Sequence, residues 1–348
     1  MPVPHKLVRR VILAPLVCLL EATLLLVSPV LLLVAVLASP FSGGWRPVRL
    51  LAIVVVGAAR HLTATLACFA LWIASGFGWK AGSDTMQRAH YALMRWFVSG
   101  IYRTVVRVAR VEVRLHGSPE AEEALSHTGR PVVLLSRHAG EGDTLLVIHQ
   151  LLSRYGRGPR IVMNETLRLD PLIDVLGERL PNRFLDPRGG DTEKEIATMA
   201  GELGETAALV IFPEGANFTE RRRQRGIERL EQAGHDDEAE WARGMRHVSA
   251  PRPGGSLAAI EGAPQADVVV MGHAGFPTGL RELWRLLPER QTVDVRLWLS
   301  KPDHVPSDRD ERIDWLFERW RILDSWVDER REASEPNELR PKTSRSGT

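Results

Sequence analysis

The chain has 348 residues, of which 44% are hydrophobic and 25% are charged, a composition typical of globular proteins that excludes wholesale disorder. Its 45 basic and 43 acidic residues leave a net charge of +2, so no nucleic-acid partner is expected and any affinity for anions must be local. The two cysteines, Cys18 and Cys68, lie apart in apolar runs, so neither a disulfide framework nor a metal site is predicted.

The first predicted element is a membrane helix. Residues 11–39 contain one charge, Glu21, and this run exceeds the roughly 20 residues that cross a hydrocarbon core. A cleaved signal peptide is the alternative, because Lys6, Arg9 and Arg10 precede the run. The apolar core of a signal peptide spans only about 7–15 residues, so the length favours a retained helix.

A second apolar run, residues 50–76, is interrupted by Arg60 and His61. A central arginine costs about 2.5–3.5 kcal/mol on membrane-insertion scales. Two geometries fit: two full crossings, or a helical hairpin within one leaflet. Two crossings would place Arg46 on the side opposite the N-terminal basic residues, against the positive-inside rule, and a hairpin avoids that conflict. Both geometries return the chain to the cytoplasmic side.

The remaining elements alternate between helical and extended patterns. Helical spacing over residues 84–110 leads into an alternating run at 111–115. Further predicted strands, each followed by a helical pattern, lie at residues 131–136, 160–163, 207–212, 267–271 and 293–299. This order predicts an α/β fold with a mixed, mostly parallel sheet covered by helices. The alternating strands are expected at half-exposed edges, and an apolar stripe over residues 313–327 predicts a helix packed on the sheet.

The first candidate for chemistry is His138 with Asp143, directly after the predicted strand at 131–136. Acyl transfer to a hydroxyl needs a base with a pKa near 6.5, and histidine supplies one. A carboxylate a few residues further on could bind the other ring nitrogen and fix the tautomer. An alternative interpretation is a capping aspartate beside an unrelated surface histidine.

The second candidate is the sequence Phe-Pro-Glu-Gly at residues 212–215, which contains Glu214 and Gly215 and follows another predicted strand. Ligands bind beyond the carboxyl ends of strands in open α/β sheets, so the two motifs are expected to share one site. Behind it lies a basic run that includes Arg221. This run could bind a phosphate or lipid headgroups, or it could be a solvated helix face.

The third candidate is a loop at residues 182–190, where Arg183 or Arg188 could bind phosphate oxygens. A turn with a salt-bridged surface arginine fits this loop equally well. Two other histidines lie in or beside predicted elements. His273 follows the predicted strand at 267–271 and could line the site, whereas His149 on an apolar helix is expected to be structural.

These motifs, in this order and behind a membrane-binding N-terminus, resemble the glycerolipid acyltransferase family typified by lysophosphatidic acid acyltransferases. The resemblance covers roughly residues 111–277, and residues 251–276 resemble the lysocardiolipin and lysophosphatidylinositol acyltransferase branch more loosely. It implies an acyl thioester donor, carried by coenzyme A or acyl carrier protein, and a lysophospholipid acceptor, with no further cofactor.

The resemblance also implies roles for individual residues. His138 would be the general base and Asp143 its orienting carboxylate. Glu214 and Gly215 would shape the acceptor and oxyanion region, and an arginine of the middle loop would bind the acceptor phosphate.

This chain departs from the family pattern in two places. Where the family usually continues Phe-Pro-Glu-Gly with Thr-Arg-Ser, it has Ala216, Asn217 and Phe218. Pro187 occupies the usual arginine position of the middle loop, so Arg188 or Arg183 must substitute. These changes leave the predicted base intact and bear on which acceptor headgroup the site binds.

The resulting prediction is a membrane-bound O-acyltransferase of phospholipid biosynthesis with its catalytic domain on the cytoplasmic side. The first-choice acceptor is 1-acylglycerol-3-phosphate, giving phosphatidic acid. Alternatives are another lysophospholipid acceptor (lysophosphatidylinositol, lysophosphatidylglycerol or lysocardiolipin), an acyl hydrolase, and a non-catalytic lipid-binding protein. The predicted division is a membrane anchor at residues 1–80, a connector helix at 81–110, an acyltransferase domain at 111–332 and a disordered tail at 333–348.

Overall fold

The structure is a computed structural model that describes residues 3–127, 129–140, 142–185, 192–276, 280–287 and 289–334. Its helices are α1 (Lys6–Phe41), α2 (Arg46–Ala74), α3 (Asp84–Val108), α4 (Pro119–Ser126), α5 (Asp143–His149), α6 (Pro171–Arg179), α7 (Thr192–Gly201), α8 (Glu220–Gln232), α9 (Asp236–Gly244), α10 (Pro253–Gly262), α11 (Leu280–Leu286) and α12 (Arg309–Ser334). Its strands are β1 (Val111–Gly117), β2 (Val132–Ser136), β3 (Gly158–Asn164), β4 (Arg183–Leu185), β5 (Ala207–Ile211), β6 (Asp267–Ala274) and β7 (Gln291–Ser300). Most of the predicted tail, residues 335–348, lies outside the described residues.

The strands form one sheet in the order β1-β7-β6-β2-β5-β3-β4. Every neighbouring pair is parallel except β6 with β7. The predicted mixed, mostly parallel α/β fold is therefore confirmed. Strands β2 and β5 are buried along their whole length, because they are continuous apolar runs near the centre of a sheet covered on both faces.

The two faces of the sheet carry separate cores. Alternate residues of β2, such as Val133 and Leu135, join a cluster with α7, α10 and α12. Their neighbours Val132 and Leu134 pack against α4 and α5 on the other face. The apolar stripe of α12 is buried, with Leu316, Trp320 and Leu323 all fully enclosed, so the prediction that this helix packs on the sheet is correct.

The two N-terminal helices pack against each other as a hairpin, and α2 also packs on α3 and α6. By length and composition alone, both are apolar enough to cross a membrane. A third core cluster contains Ala64 and Cys68 of α2 together with Met94 of α3 and Leu172 of α6. The hairpin is thus joined to the globular part through an apolar interface.

Three sequence-based expectations need correction. Strand β7 was expected at an edge, but it lies between β1 and β6; a mixed sheet lets it pair parallel with one and antiparallel with the other. The middle loop begins with an unpredicted short strand, β4, formed by its pairing with β3. Strand β6 runs on to Ala274, so His273 lies within the strand and not after it.

Candidate active site

The sheet places the two principal motifs side by side. Strands β2 and β5 are parallel neighbours, and Leu135 pairs with Ile211 at their carboxyl ends. The loop that carries His138 and the turn at residues 212–215 therefore leave the sheet at the same edge. Register between adjacent parallel strands explains how segments so far apart in the sequence meet.

His138 and Asp143 form the centre of the site. The His138 Nδ1 atom lies 3.3 Å from Asp143 Oδ2, and the histidine side chain is 20% exposed while the aspartate is fully buried. The Phe212 ring packs on the imidazole, with ring centroids 4.5 Å apart. Because Nδ1 faces the carboxylate, Nε2 is the ring nitrogen left to exchange a proton with a substrate.

Asp143 is held in its ionised form by several donors. Its Oδ2 accepts the Gly140 N–H at 2.8 Å, and its Oδ1 lies 3.5 Å from Nε2 of the buried His273. Burial alone would raise the pKa of Asp143, but the charge of His273 and hydrogen bonds from His138, His273 and Gly140 outweigh burial and hold that pKa well below its ordinary value. The carboxylate is thus available at neutral pH to orient His138.

Glu214 holds the backbone of the loop that carries His138. Its Oε1 accepts the His138 N–H at 2.8 Å, and its Oε2 accepts the Ser249 N–H at 2.9 Å. The Phe218 N–H donates to the His138 carbonyl at 2.7 Å, so the histidine backbone is fixed on both sides by the segment after β5. Burial raises the pKa of Glu214 to about 7, although both N–H groups favour its ionised form. With both oxygens occupied by backbone N–H groups, Glu214 fixes the position of the His138 backbone.

The partner segment of Glu214 is itself anchored from α12. Asp324 accepts the backbone N–H groups of Arg246, His247 and Val248 at 2.6–3.1 Å. This carboxylate is 5% exposed. A chain of backbone contacts therefore runs from α12 through Ser249 and Glu214 to His138.

Gly215 closes the turn after β5 with a positive φ of 71°. A Cβ atom at this position would lie 3.1 Å from the guanidinium of Arg252, whose backbone N–H donates to the Pro213 carbonyl at 2.8 Å. The site needs glycine here for both reasons: a left-handed backbone and the close approach of Arg252.

The arginines predicted to bind substrate differ in their surroundings. Arg221 is exposed in the first turn of α8. Arg183 lies on β4, where its guanidinium is 3.5 Å from Glu195 and 3.7 Å from Glu202. Its charge is therefore already shared with two carboxylates. Arg188 lies outside the described residues.

Sequence reasoning undervalued His273 and missed Ser249 and Phe276. Period-two alternation from Met271 places His273 on the sheet face covered by α5, which carries Asp143. This pattern could have predicted that His273 lies near Asp143. The Phe276 ring packs over Gly142, where a Cβ would lie 2.9 Å from it, and lies edge-on to His273. Ser249 contributes its backbone N–H, which no side-chain pattern reveals. His149 stacks on Tyr102 with ring centroids 3.8 Å apart, in keeping with a structural role.

An oriented histidine and a buried carboxylate at the carboxyl edge of an open α/β sheet define a class of proteins equipped for general base catalysis. Within the described ranges, no group of three or more His, Cys, Asp or Glu residues is arranged to hold a metal ion. The family model described as Acyltransferase matches residues 112–251, so this segment belongs to the acyltransferase family that the motif order predicts. No curated protein matches the chain. His273 and the anchoring Asp324 both lie beyond the matched segment.

Proposed function

We propose that the protein is a membrane-bound O-acyltransferase that transfers a fatty acyl group from an acyl thioester to a free hydroxyl of a lysophospholipid, with 1-acylglycerol-3-phosphate as the first-choice acceptor. The family match supports acyl transfer. The observation that carries the mechanism is the contact of His138 Nδ1 with buried Asp143 while the ring remains partly exposed.

The proposed reaction needs only groups found in the site and the two substrates. His138 Nε2 takes the proton of the acceptor hydroxyl as that oxygen attacks the thioester carbonyl, and Asp143 stabilises the imidazolium that forms. The tetrahedral intermediate collapses with cleavage of the carbon–sulfur bond. The imidazolium returns the proton to the leaving thiolate, which regenerates the neutral base.

The oxyanion of the intermediate needs donors that are not already engaged. The N–H groups of His138, Gly140, Gly215 and Phe218 are all bonded within the loops. Among the described residues, the N–H groups of Ala216 and Asn217 in the turn after β5 donate to no backbone acceptor. We assign the oxyanion to this stretch of backbone, which lacks the hydroxyl usual in the family.

Contacts of the N-terminal hairpin support one of the two membrane geometries. At the start of α1, Arg9 Nη2 lies 2.8 Å from Asp174 on α6, and this ion pair is buried. At the start of α2, beside the hairpin turn, Arg46 Nη2 donates to the Arg285 carbonyl at 3.3 Å. Helix α1 is 36 residues long and therefore about 54 Å in length, yet both ends of the hairpin contact the globular part.

A third contact lies midway along α2, where His61 is 3.1 Å from Asp170. Two full crossings would place the turn across the hydrocarbon from the globular domain. The contacts at both ends of the hairpin therefore support a hairpin that lies along one leaflet. The buried Arg9 contact also favours retention of this segment over cleavage.

The outer surface of the hairpin suits a lipid environment. Leu26 and Leu33 of α1 are 80% and 60% exposed. Phe41 at the turn and Trp79 after α2 are 92% and 86% exposed, as expected of aromatic anchors at a membrane interface. A lysolipid confined to this leaflet would meet a catalytic site held at the same surface.

The proposed reaction is tested with the purified full-length chain in detergent micelles. We expect a radiolabelled acyl thioester to give diacyl product only when a lysolipid is added, with lysophosphatidic acid preferred within a panel of lysophospholipids. Free fatty acid formed equally with and without lysolipid would instead identify a hydrolase. Lipid binding without turnover of any donor would identify a non-catalytic protein.

The membrane geometry is tested by labelling a cysteine placed in the hairpin turn. In a chain whose Cys18 and Cys68 are replaced by alanine, we expect Ser42→Cys to react with an impermeant maleimide from the same side of sealed vesicles as Ser126→Cys. Ser126 lies on the exposed surface of α4 and serves as the matched reference. Reaction of Ser42→Cys only after the vesicles are dissolved would show two full crossings.

A further inference from the structure

One face of α8 carries arginines that no acidic side chain among the described residues neutralises. Arg221, Arg225 and Arg229 lie at four-residue spacing and therefore on one side of the helix. The described part of the chain gives none of the three an acidic partner. Their neighbours differ, since Arg222 donates to the Asn217 carbonyl and Arg223 pairs with Glu220.

Arg252 extends this positive surface to the active-site turn. Its guanidinium packs against Gly215, next to Glu214, which binds the His138 backbone. Among the described residues no carboxylate pairs with it either. Partial burial lowers the pKa of the Arg252 guanidinium, and the like charge of nearby Arg229 lowers it further.

Two neighbouring cations without counter-ions repel each other, and a bound anion would remove that repulsion. The start of α10 does not add to this positive surface, because the Glu193 carboxylate packs against Gly254 in its first turn. An arginine fork that has no carboxylate partner among the described residues suits a phosphate group.

We infer that Arg252, assisted by Arg229, binds a phosphate group of a substrate beside the catalytic histidine. This inference rests on the proposed function for its location at the reaction centre. It also accounts for the departure of this chain from the usual family motif: Asn217 replaces an arginine, and Arg252 supplies a guanidinium at the same turn from a different segment. The phosphate belongs either to the acceptor lipid or to the coenzyme A carrier.

The test compares Arg252→Gln with wild type on matched substrates. The acceptor arm uses lysophosphatidic acid against monoacylglycerol, and the donor arm uses acyl-coenzyme A against an acyl N-acetylcysteamine thioester, which has no phosphate. We expect a rise in KM of about 10- to 100-fold for the phosphate-bearing member of one arm. We expect little change for its phosphate-free counterpart, and kcat within about threefold. Arg229→Gln should raise the same KM by a smaller factor.

Arg114→Gln is the matched control, since Arg114 is an exposed arginine on β1, an edge strand of the sheet. Calorimetry with glycerol 3-phosphate and with 3′,5′-ADP measures binding without any acyl transfer. Binding of one probe that Arg252→Gln abolishes would support the site even if no transferase activity were found. Unchanged KM values in both arms, together with unchanged probe binding, would overturn the inference and leave the proposed reaction intact.

Discussion

Replacing His138 with alanine should lower the rate of acyl transfer by about 10²- to 10⁴-fold, because the base that takes the acceptor proton is lost. The substitution also removes the contacts of the imidazole with Asp143 and with the Phe212 ring, so a modest loss of stability is expected beside the loss of rate. Thermal unfolding is therefore measured in parallel. The measurement is turnover of a radiolabelled acyl thioester with lysophosphatidic acid in micelles, at equal amounts of folded protein.

His304→Ala is the matched control, since the His304 side chain is 70% exposed and lies in the turn after β7. It should retain wild-type turnover. Full activity of His138→Ala would rule out the mechanism, whatever the identity of the acceptor. An equal loss in both variants would point to a general effect of substitution.

Replacing Glu214 with alanine should have the largest effect on stability and should also impair catalysis. It leaves the N–H groups of His138 and Ser249 buried without acceptors, at a cost of about 1–3 kcal/mol each. Glu214→Gln keeps one acceptor oxygen but turns an amide N–H₂ towards the other donor, so its loss should be smaller. The checks are thermal unfolding and kcat corrected for the folded fraction, with exposed Glu123→Ala as the control.

The pH dependence of stability tests whether the pKa of the Glu214 carboxyl is raised in the folded protein. Burial raises the pKa of Glu214 to about 7 in the folded protein, against about 4.3 in an unfolded chain. The folded state therefore retains a proton that the unfolded chain releases. The stabilising effect of that proton is complete below about pH 4 and is lost as the pH rises to about 7. Glu214→Gln should lack this slope, and a variant with the wild-type slope would disprove the assignment.

The fold was predictable from the sequence wherever apolar runs were long. Strands β2 and β5 are buried on both faces and read as continuous apolar segments, so their positions were clear. The three-residue strand β4 escaped prediction because it exists through pairing with β3 and not through its own pattern. The internal position of β7 was equally hidden, since alternation reports partial exposure and not order in the sheet.

The sequence indicated which residues form the candidate site but not which contacts each of them makes. Motif order identified His138, Asp143 and Glu214, and parallel strand register brought them together. The sequence could not predict that Glu214 accepts two backbone N–H groups, because almost any residue supplies such a donor. For Arg252 the sequence predicted only a turn, since the proximity of its side chain to Gly215 depends on tertiary packing.

The anchoring of residues 246–248 by Asp324 has a consequence for biosynthesis. The hydrophobic hairpin precedes Asp143 in the chain, whereas Asp324 is translated roughly 180 residues after Asp143. At 5–20 residues per second this separation lasts roughly 10–40 s. The loop that carries His138 is thus synthesised well before the helix that anchors residues 246–248, so a nascent chain that lacks α12 holds this loop without that anchor.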